Sequence, residues 1–277
     1  MILALLKIVA VSYFVIIVAF YFLQSRMLFQ STKGLDRTPN VYEWAYESVR
    51  LDVGEHITTG WWIPYGEDSK GVILFSHGNA GNMAGRLESV FLFRKMGFDV
   101  LVYDYGGYGE STGASSEGRC YADIRAMYDW LTEEKAIPAE RIVLFGRSLG
   151  GGVTSELAQE VKVAAVIVES TFKSVSARAQ EIFPFLPAKL IVKNRFENHS
   201  KIDSFLSPVL IVHSPDDTLI PFHHGRALFD AATEPKSFLE ISGDHNEGFW
   251  KSGDLYTQGL TDFLQPLLPD PTPKPAE

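Results

Sequence analysis

Cysteine is almost missing from this chain: Cys120 is the single one in 277 residues. No internal disulfide framework is available, although that absence does not choose a compartment. There is also no H-E-x-x-H motif and no Cys/His cluster, so no metal or cofactor site is expected. Concentrated positive charge is lacking as well. Lys and Arg number 25 against 34 acidic residues, a formal net charge of -9, and no basic stripe stands out, which excludes nucleic acid as an expected partner. Internal repeats and low-complexity tracts are absent too, so the chain is not a solenoid or a linker protein.

Apolar sequence is plentiful, at 46% of residues, enough for the core of one large domain. The longest run comes first. Met1 to Leu23 carries only one charge, Lys7, and Ile8 to Leu23 is broken only by Ser12. A helix of about 20 residues rises about 30 Å, the thickness of the hydrocarbon layer. Residues 1–25 are therefore read as a single membrane anchor. A cleaved signal peptide and a buried core helix are the alternatives, but no A-x-A site follows and Phe20-Tyr21-Phe22 is a poor cleavage neighbourhood. Lys7 before the span against Arg26, Lys33 and Arg37 after it is too small a bias to fix the side on which the domain lies. Residues 26–45 turn polar and read as a linker.

From residue 46 the pattern becomes that of an α/β domain running to 268. Tyr46 to Val53 and Ile57 to Tyr65 alternate around Gly54 like an antiparallel hairpin. Six apolar runs follow, Gly71–Ser76, Phe98–Tyr103, Arg141–Phe145, Val163–Val168, Val209–His213 and Ser237–Ile241, separated by helical segments at Met83–Met96, Tyr121–Leu131, Phe222–Ala232 and Gly248–Leu268. Unbroken hydrophobic strands between helices imply a mostly parallel sheet buried on both faces. Residues 170–207 form an irregular insertion with clustered Phe, read either as a short cap over an acyl pocket or as an ordinary crossover. Four prolines within 269–277 predict a disordered tail.

One stretch carries chemistry. Arg141 to Phe145 runs into Gly146-Arg147-Ser148-Leu149-Gly150 and then into a small-residue helical segment, the strand-turn-helix setting of a nucleophile elbow. Ser148 is the candidate nucleophile, with side chains at 146 and 150 excluded by the neighbouring strand and helix. A serine hydroxyl needs a base, and the base needs a carboxylate to orient it. In such a sheet the chain order is Ser, acid, His. His245, in the loop after the last strand, supplies the base. Asp216, Asp217 and Glu169 all satisfy the order as acid. The oxyanion donors are assigned to the N–H of Leu149, at the start of the helix, and the N–H of Asn79, in the turn after strand Gly71–Ser76.

Phe75 to Asn82 (FSHGNAGN), Tyr103 to Ser111 (YDYGGYGES) and Gly146 to Gly151 (GRSLGG) together resemble the α/β-hydrolases, and within them a membrane-anchored, bud-emergence-related branch similar to the α/β-hydrolase-domain depalmitoylases. The resemblance spans about 46 to 268. It implies an α/β-hydrolase fold with a short cap, and cleavage of carboxylic ester or thioester bonds in small acyl, lipid or lipidated-protein substrates without a cofactor. The turn Ser214-Pro215-Asp216-Asp217-Thr218-Leu219-Ile220-Pro221 is similar to G-x-x-D-x-(V/I)-P, which favours Asp217 as the acid over Asp216 and Glu169. Two positions depart from the pattern: Gly106 where an arginine is usual, and Ser214 where a glycine is usual. Lysophospholipase or peptidase activity on the same triad, or a catalytically silent membrane-tethered binding module, are the alternative readings.

Overall fold

In the computed structural model, which describes residues 1–268, the apolar runs become strands within two residues of their expected bounds. The tail expectation at 269–277 lies outside the described residues. The main sheet contains β2 Glu47–Val53, β3 His56–Ile63, β4 Val72–Ser76, β6 Asp99–Asp104, β7 Ile142–Arg147, β8 Ala165–Glu169, β9 Val209–His213 and β10 Lys236–Glu240; a separate pair joins β1 Gln30–Ser31 to β5 Ala80–Gly81. The order across the main sheet is β10-β9-β8-β7-β4-β6-β3-β2. β3 runs antiparallel to β2 and β6, and every other pairing is parallel. This is the α/β-hydrolase arrangement expected from the sequence.

Strand alternation splits the core in two. Leu74, Leu101, Leu144, Val166 and Ile211 face one layer, shared with α3 Glu117–Asp129, α4 Leu149–Leu157 and α7 His223–Ala231. Their neighbours Ile73, Phe75, Val102, Phe145 and Val212 face the other, with α2 Leu87–Lys95 and α9 Gly253–Leu264. Because both faces are covered, β4, β7, β8 and β9 are buried at every position, which is why they read as continuous apolar runs.

Three helices differ from expectation. The one expected from Met83 opens as a 3₁₀ turn over Met83–Arg86 before α2. α3 begins at Glu117 because Ser116 caps it, its Oγ accepting the Arg119 N–H at 3.2 Å; the apolar periodicity that marked Tyr121 starts later than the cap. The final helix is interrupted, as α8 Gly248–Lys251 and α9, at Gly253, whose φ of 50° belongs to the left-handed region. The insertion after β8 folds into α5 Val175–Ile182 and α6 Ala188–Ile191.

At the N-terminus, α1 Ile2–Leu28 is long and apolar enough to cross a membrane. It runs past the expected anchor boundary, and the segment beyond it does not stand off as a free tether. Phe29 is buried, β1 pairs in parallel with β5, and Lys33 bridges Gly109.

Candidate active site

The elbow is built by close approach. Ser148 has φ 54° and ψ -118°, a backbone state that costs energy for a residue with a Cβ and persists only where packing enforces it. A Cβ on Gly150 would overlap the Ser76 carbonyl oxygen, and one on Gly146 would lie 2.6 Å from Thr154 Oγ1. α4 therefore sits directly on the end of β4, and Ser148 projects beside the turn after that strand, where a Cβ on Gly78 would be 3.5 Å from that of Ser148.

The structure brings Ser148, His245 and Asp217 together. His245 Nε2 lies 3.0 Å from Ser148 Oγ, and His245 Nδ1 lies 2.7 Å from Asp217 Oδ2. Asp217 Oδ1 accepts the Ile220 N–H at 2.7 Å, which fixes the carboxylate plane. The loops that carry Asp217 and His245 are laced on both sides of this contact. Asp216 Oδ2 accepts the Gly243 N–H at 3.1 Å, while Asp244 Oδ1 accepts both the N–H and the hydroxyl of Thr218 at 2.9 Å. Asp216 thus braces the His245 loop and does not orient the ring.

Glu169 is placed elsewhere. Its two oxygens accept Arg147 Nε at 2.6 Å and the Tyr256 hydroxyl at 2.7 Å. Burial alone would lower the Arg147 pKa, but Glu169 and Tyr256 outweigh it and the guanidinium stays charged. His213 is a second imidazole near Asp217, 3.6 Å away. Burial lowers its pKa, and its Nε2 donates to the Ile220 carbonyl at 2.8 Å, so it is neutral and spent on the turn.

Asn79 and Leu149 both line a cavity of about 280 Å³ that also contains Ser148. The Asn79 side chain donates to the Leu28 carbonyl at 2.9 Å, and the Asn79 backbone carbonyl accepts the Tyr108 hydroxyl at 2.7 Å. Its backbone N–H and that of Leu149 donate to no partner among the described residues. Sequence reading missed the support for this turn. His77, wholly buried, links the Gly78 carbonyl to Asp104, and Tyr105 donates to the His77 carbonyl at 2.6 Å. Asp104, Tyr105 and Tyr108 all belong to the Tyr103–Ser111 motif, whose value lies in holding the first turn.

Both departures from the family pattern have local explanations. A Cβ on Gly106 would meet Arg119 Cγ at 2.7 Å and Nε at 2.9 Å: an arginine from α3 fills the space. Ser214 is outside the left-handed region, and its Oγ accepts the Asp216 N–H at 3.1 Å, so it forms the turn before Asp217 without a glycine.

One side-chain cluster has metal-ligand composition: Glu181, His223 and His224, whose ligand atoms lie within 4.8 Å of one another. His224 Nδ1 accepts the Lys173 N–H at 3.1 Å, so its Nε2 carries the proton and donates to Glu181 at 3.0 Å. Arg178 occupies the same carboxylate at 3.1 Å. The cluster is a latch between α5 and α7, in which the Nε2 atoms of His223 and His224 are both engaged with the Glu181 carboxylate.

A strained serine on a strand-to-helix turn, in a sheet of this order, defines an α/β-hydrolase. Comparison with known proteins agrees. The α/β-hydrolase fold family matches residues 71–190. The α/β-hydrolase domain-containing protein WAV2 of Arabidopsis thaliana is 31% identical over 261 residues, covering 86% of this chain and 85% of that one. The lysophosphatidylserine lipase ABHD12 of Danio rerio is 28% identical over 274 residues, covering 84% and 71%. Among solved structures, the esterase Pf2001 of Pyrococcus furiosus superposes with a TM-score of 0.73 at 18% identity, covering 87% of this chain and 98% of that one. The chain belongs to the α/β-hydrolase family.

Proposed function

We propose that this chain is a membrane-anchored serine hydrolase that cleaves carboxylic ester or thioester bonds of acyl substrates. The observation that carries the reading is the continuous hydrogen-bonded line from Asp217 through His245 to Ser148, ending at a cavity. His245 removes the Ser148 proton as Oγ attacks the acyl carbon; Asp217 orients the ring and stabilises the imidazolium. The N–H groups of Leu149 and Asn79 hold the tetrahedral oxyanion. His245 then passes its proton to the leaving alcohol or thiol, and water, activated by the same imidazole, releases the acid from Ser148.

α1 supports a membrane location for the substrate, and the relationship to a protein named as a lysophosphatidylserine lipase supports a lipid ester among the substrates. The test uses the full chain in detergent with a fluorophosphonate probe. The intact protein is expected to label and to hydrolyse acyl esters, and Ser148→Ala to do neither. Labelling that persists in Ser148→Ala overturns Ser148 as the nucleophile, and an unlabelled intact protein leaves the silent binding module. Esters, thioesters and peptide amides assayed side by side separate esterase from peptidase action.

A further inference from the structure

The end of α1 forms part of the cavity wall. Phe20, Gln24, Met27 and Leu28 line the same space as Ser148, and their spacing places them on one face of the helix. That face is bonded to the insertion after β8. Gln24, 7% exposed in a helix otherwise open over most of its length, donates to the Ile191 carbonyl at 3.1 Å and accepts the Lys193 N–H at 2.7 Å. Further toward the N-terminus, Phe20 meets the Phe183 ring edge-on at 5.5 Å, and the Tyr13 hydroxyl donates to the Phe185 carbonyl at 2.8 Å.

Tyr13 precedes Gln24 by about 16 Å of helix rise, so the insertion climbs along α1 instead of meeting it only at its root. Arg26 marks the polar end of the apolar segment. A bilayer around α1 would hold Arg26 at the boundary and Tyr13 about 20 Å deeper. The insertion lays bare apolar side chains along α1: Ile182 is 47% exposed, Phe185 59% and, at the Gln24 level beside the exposed Lys189, Leu190 80%. Three such side chains on one short segment, beside an apolar helix, fit a lipid environment better than water. Lys193, whose Nζ lies 3.8 Å over the Tyr21 ring, suits the boundary, where long basic side chains extend toward headgroups.

We propose that α1 is a wall of the acyl pocket as well as an anchor, and that the acyl chain of a substrate resident in the same leaflet passes from the lipid between α1 and residues 182–191 to reach Ser148. This rests on the hydrolase reading above and adds the route and the residues that bound the chain. A chain taken up this way moves from hydrocarbon into an apolar channel without crossing water, so the hydrophobic cost of extracting it from the membrane does not arise.

The experiment uses the full chain in phospholipid nanodiscs, with butyryl and palmitoyl esters of one fluorogenic alcohol. Phe20→Trp narrows the α1 side of the pocket and is expected to lower kcat/KM for the palmitoyl ester about tenfold more than for the butyryl ester. Phe20→Ala is expected to shift the ratio the other way. Should Phe20→Trp fail to fold, Met27→Trp makes the same test. Fluorophosphonate labelling keeps the two readings apart: an unlabelled wild type overturns the hydrolase, whereas labelled proteins with one unchanged chain-length ratio overturn the α1 wall. The route has its own readout. Cys120 is the single cysteine and is buried, so a polarity-sensitive dye on Leu190→Cys reports that position alone. Quenching by nitroxides on lipid acyl chains is expected, and a dye quenched only from the aqueous phase overturns the route through the leaflet.

Discussion

Glu169 holds the Ser148 turn twice: its carbonyl oxygen accepts the Ser148 N–H at 2.9 Å, and its carboxylate accepts Arg147 Nε at 2.6 Å. The residue that rivals Asp217 in chain order is thus the structural prop beside the serine. Glu169→Gln keeps the backbone bond but leaves Arg147 as a buried cation without a counter-charge, and Glu169 itself is 2% exposed. Removing one partner of a buried pair costs about 3 kcal/mol or more. The urea midpoint is expected to fall by a corresponding amount, while the rate in native buffer drops less than about tenfold.

Asp217→Asn is expected to do the reverse. The amide keeps an acceptor for the Ile220 N–H, so the turn is retained. Its NH2 cannot accept from His245 Nδ1, and the imidazolium loses its stabilising charge. By comparison with triads in which this carboxylate is neutralised, kcat should fall about 10³- to 10⁴-fold. Steady-state kinetics paired with urea denaturation of both variants separates acid from prop. A larger rate loss in Glu169→Gln than in Asp217→Asn would reverse the assignment.

These two carboxylates show where the sequence stops being informative. Both follow apolar strands and both satisfy the chain order, because order along the chain says which edge of the sheet a residue reaches but not which neighbour it meets. Arg147 and Tyr256, 109 positions apart, are the neighbours Glu169 meets, and only folding brings them together. Ser148 was legible for the opposite reason: its signature, Gly146, Gly150 and the flanking strand and helix, is local, although the close approach that requires Gly150 is to Ser76 on another strand. α1 was legible as an apolar helix but not as a pocket wall. Gln24 was the available signal, an amide at the end of an apolar run, and it is satisfied by backbone atoms of Ile191 and Lys193 far along the chain.

The latch between α5 and α7 should loosen in acid. Burial holds the His224 pKa down at about 4 from its ordinary 6.5, with Glu181 opposing. For Glu181, burial is outweighed by hydrogen bonds from His223 and His224, which hold it at about 2 against 4.5. The Glu181 direction follows from imidazole N–H groups donating to its carboxylate, and the His224 direction from burial, which Glu181 only partly offsets. Below pH 6.5 the unfolded chain takes up a proton at His224 that the folded chain refuses until about 4, so stability present above 6.5 drains away between those values. The Glu181 contribution is intact above 4.5 and is lost only toward pH 2. Thermal midpoints measured from pH 7 to 4.5 are expected to decline more steeply in the wild type than in His224→Gln. Parallel slopes would assign the acid sensitivity to other groups.

Gly106 offers a test of how one departure from the family pattern is absorbed. Arg119 fills the space a side chain at 106 would need, and it is tied down by Asp123 at 2.6 Å and by Thr58 Oγ1 at 2.8 Å. Asp123 is wholly buried and also accepts the Gly106 N–H at 2.8 Å. Gly106→Arg, which restores the residue usual in the resembling family, therefore has to displace a bonded guanidinium from a buried carboxylate. The single variant is expected to lose about 2 kcal/mol of stability. Gly106→Arg combined with Arg119→Ala returns both the space and a cation near Asp123, and should recover at least half of that loss, a non-additivity that marks residues in contact. Urea denaturation of the two single variants and the double closes the cycle; simple addition of the two losses would mean that the two positions do not share one guanidinium site.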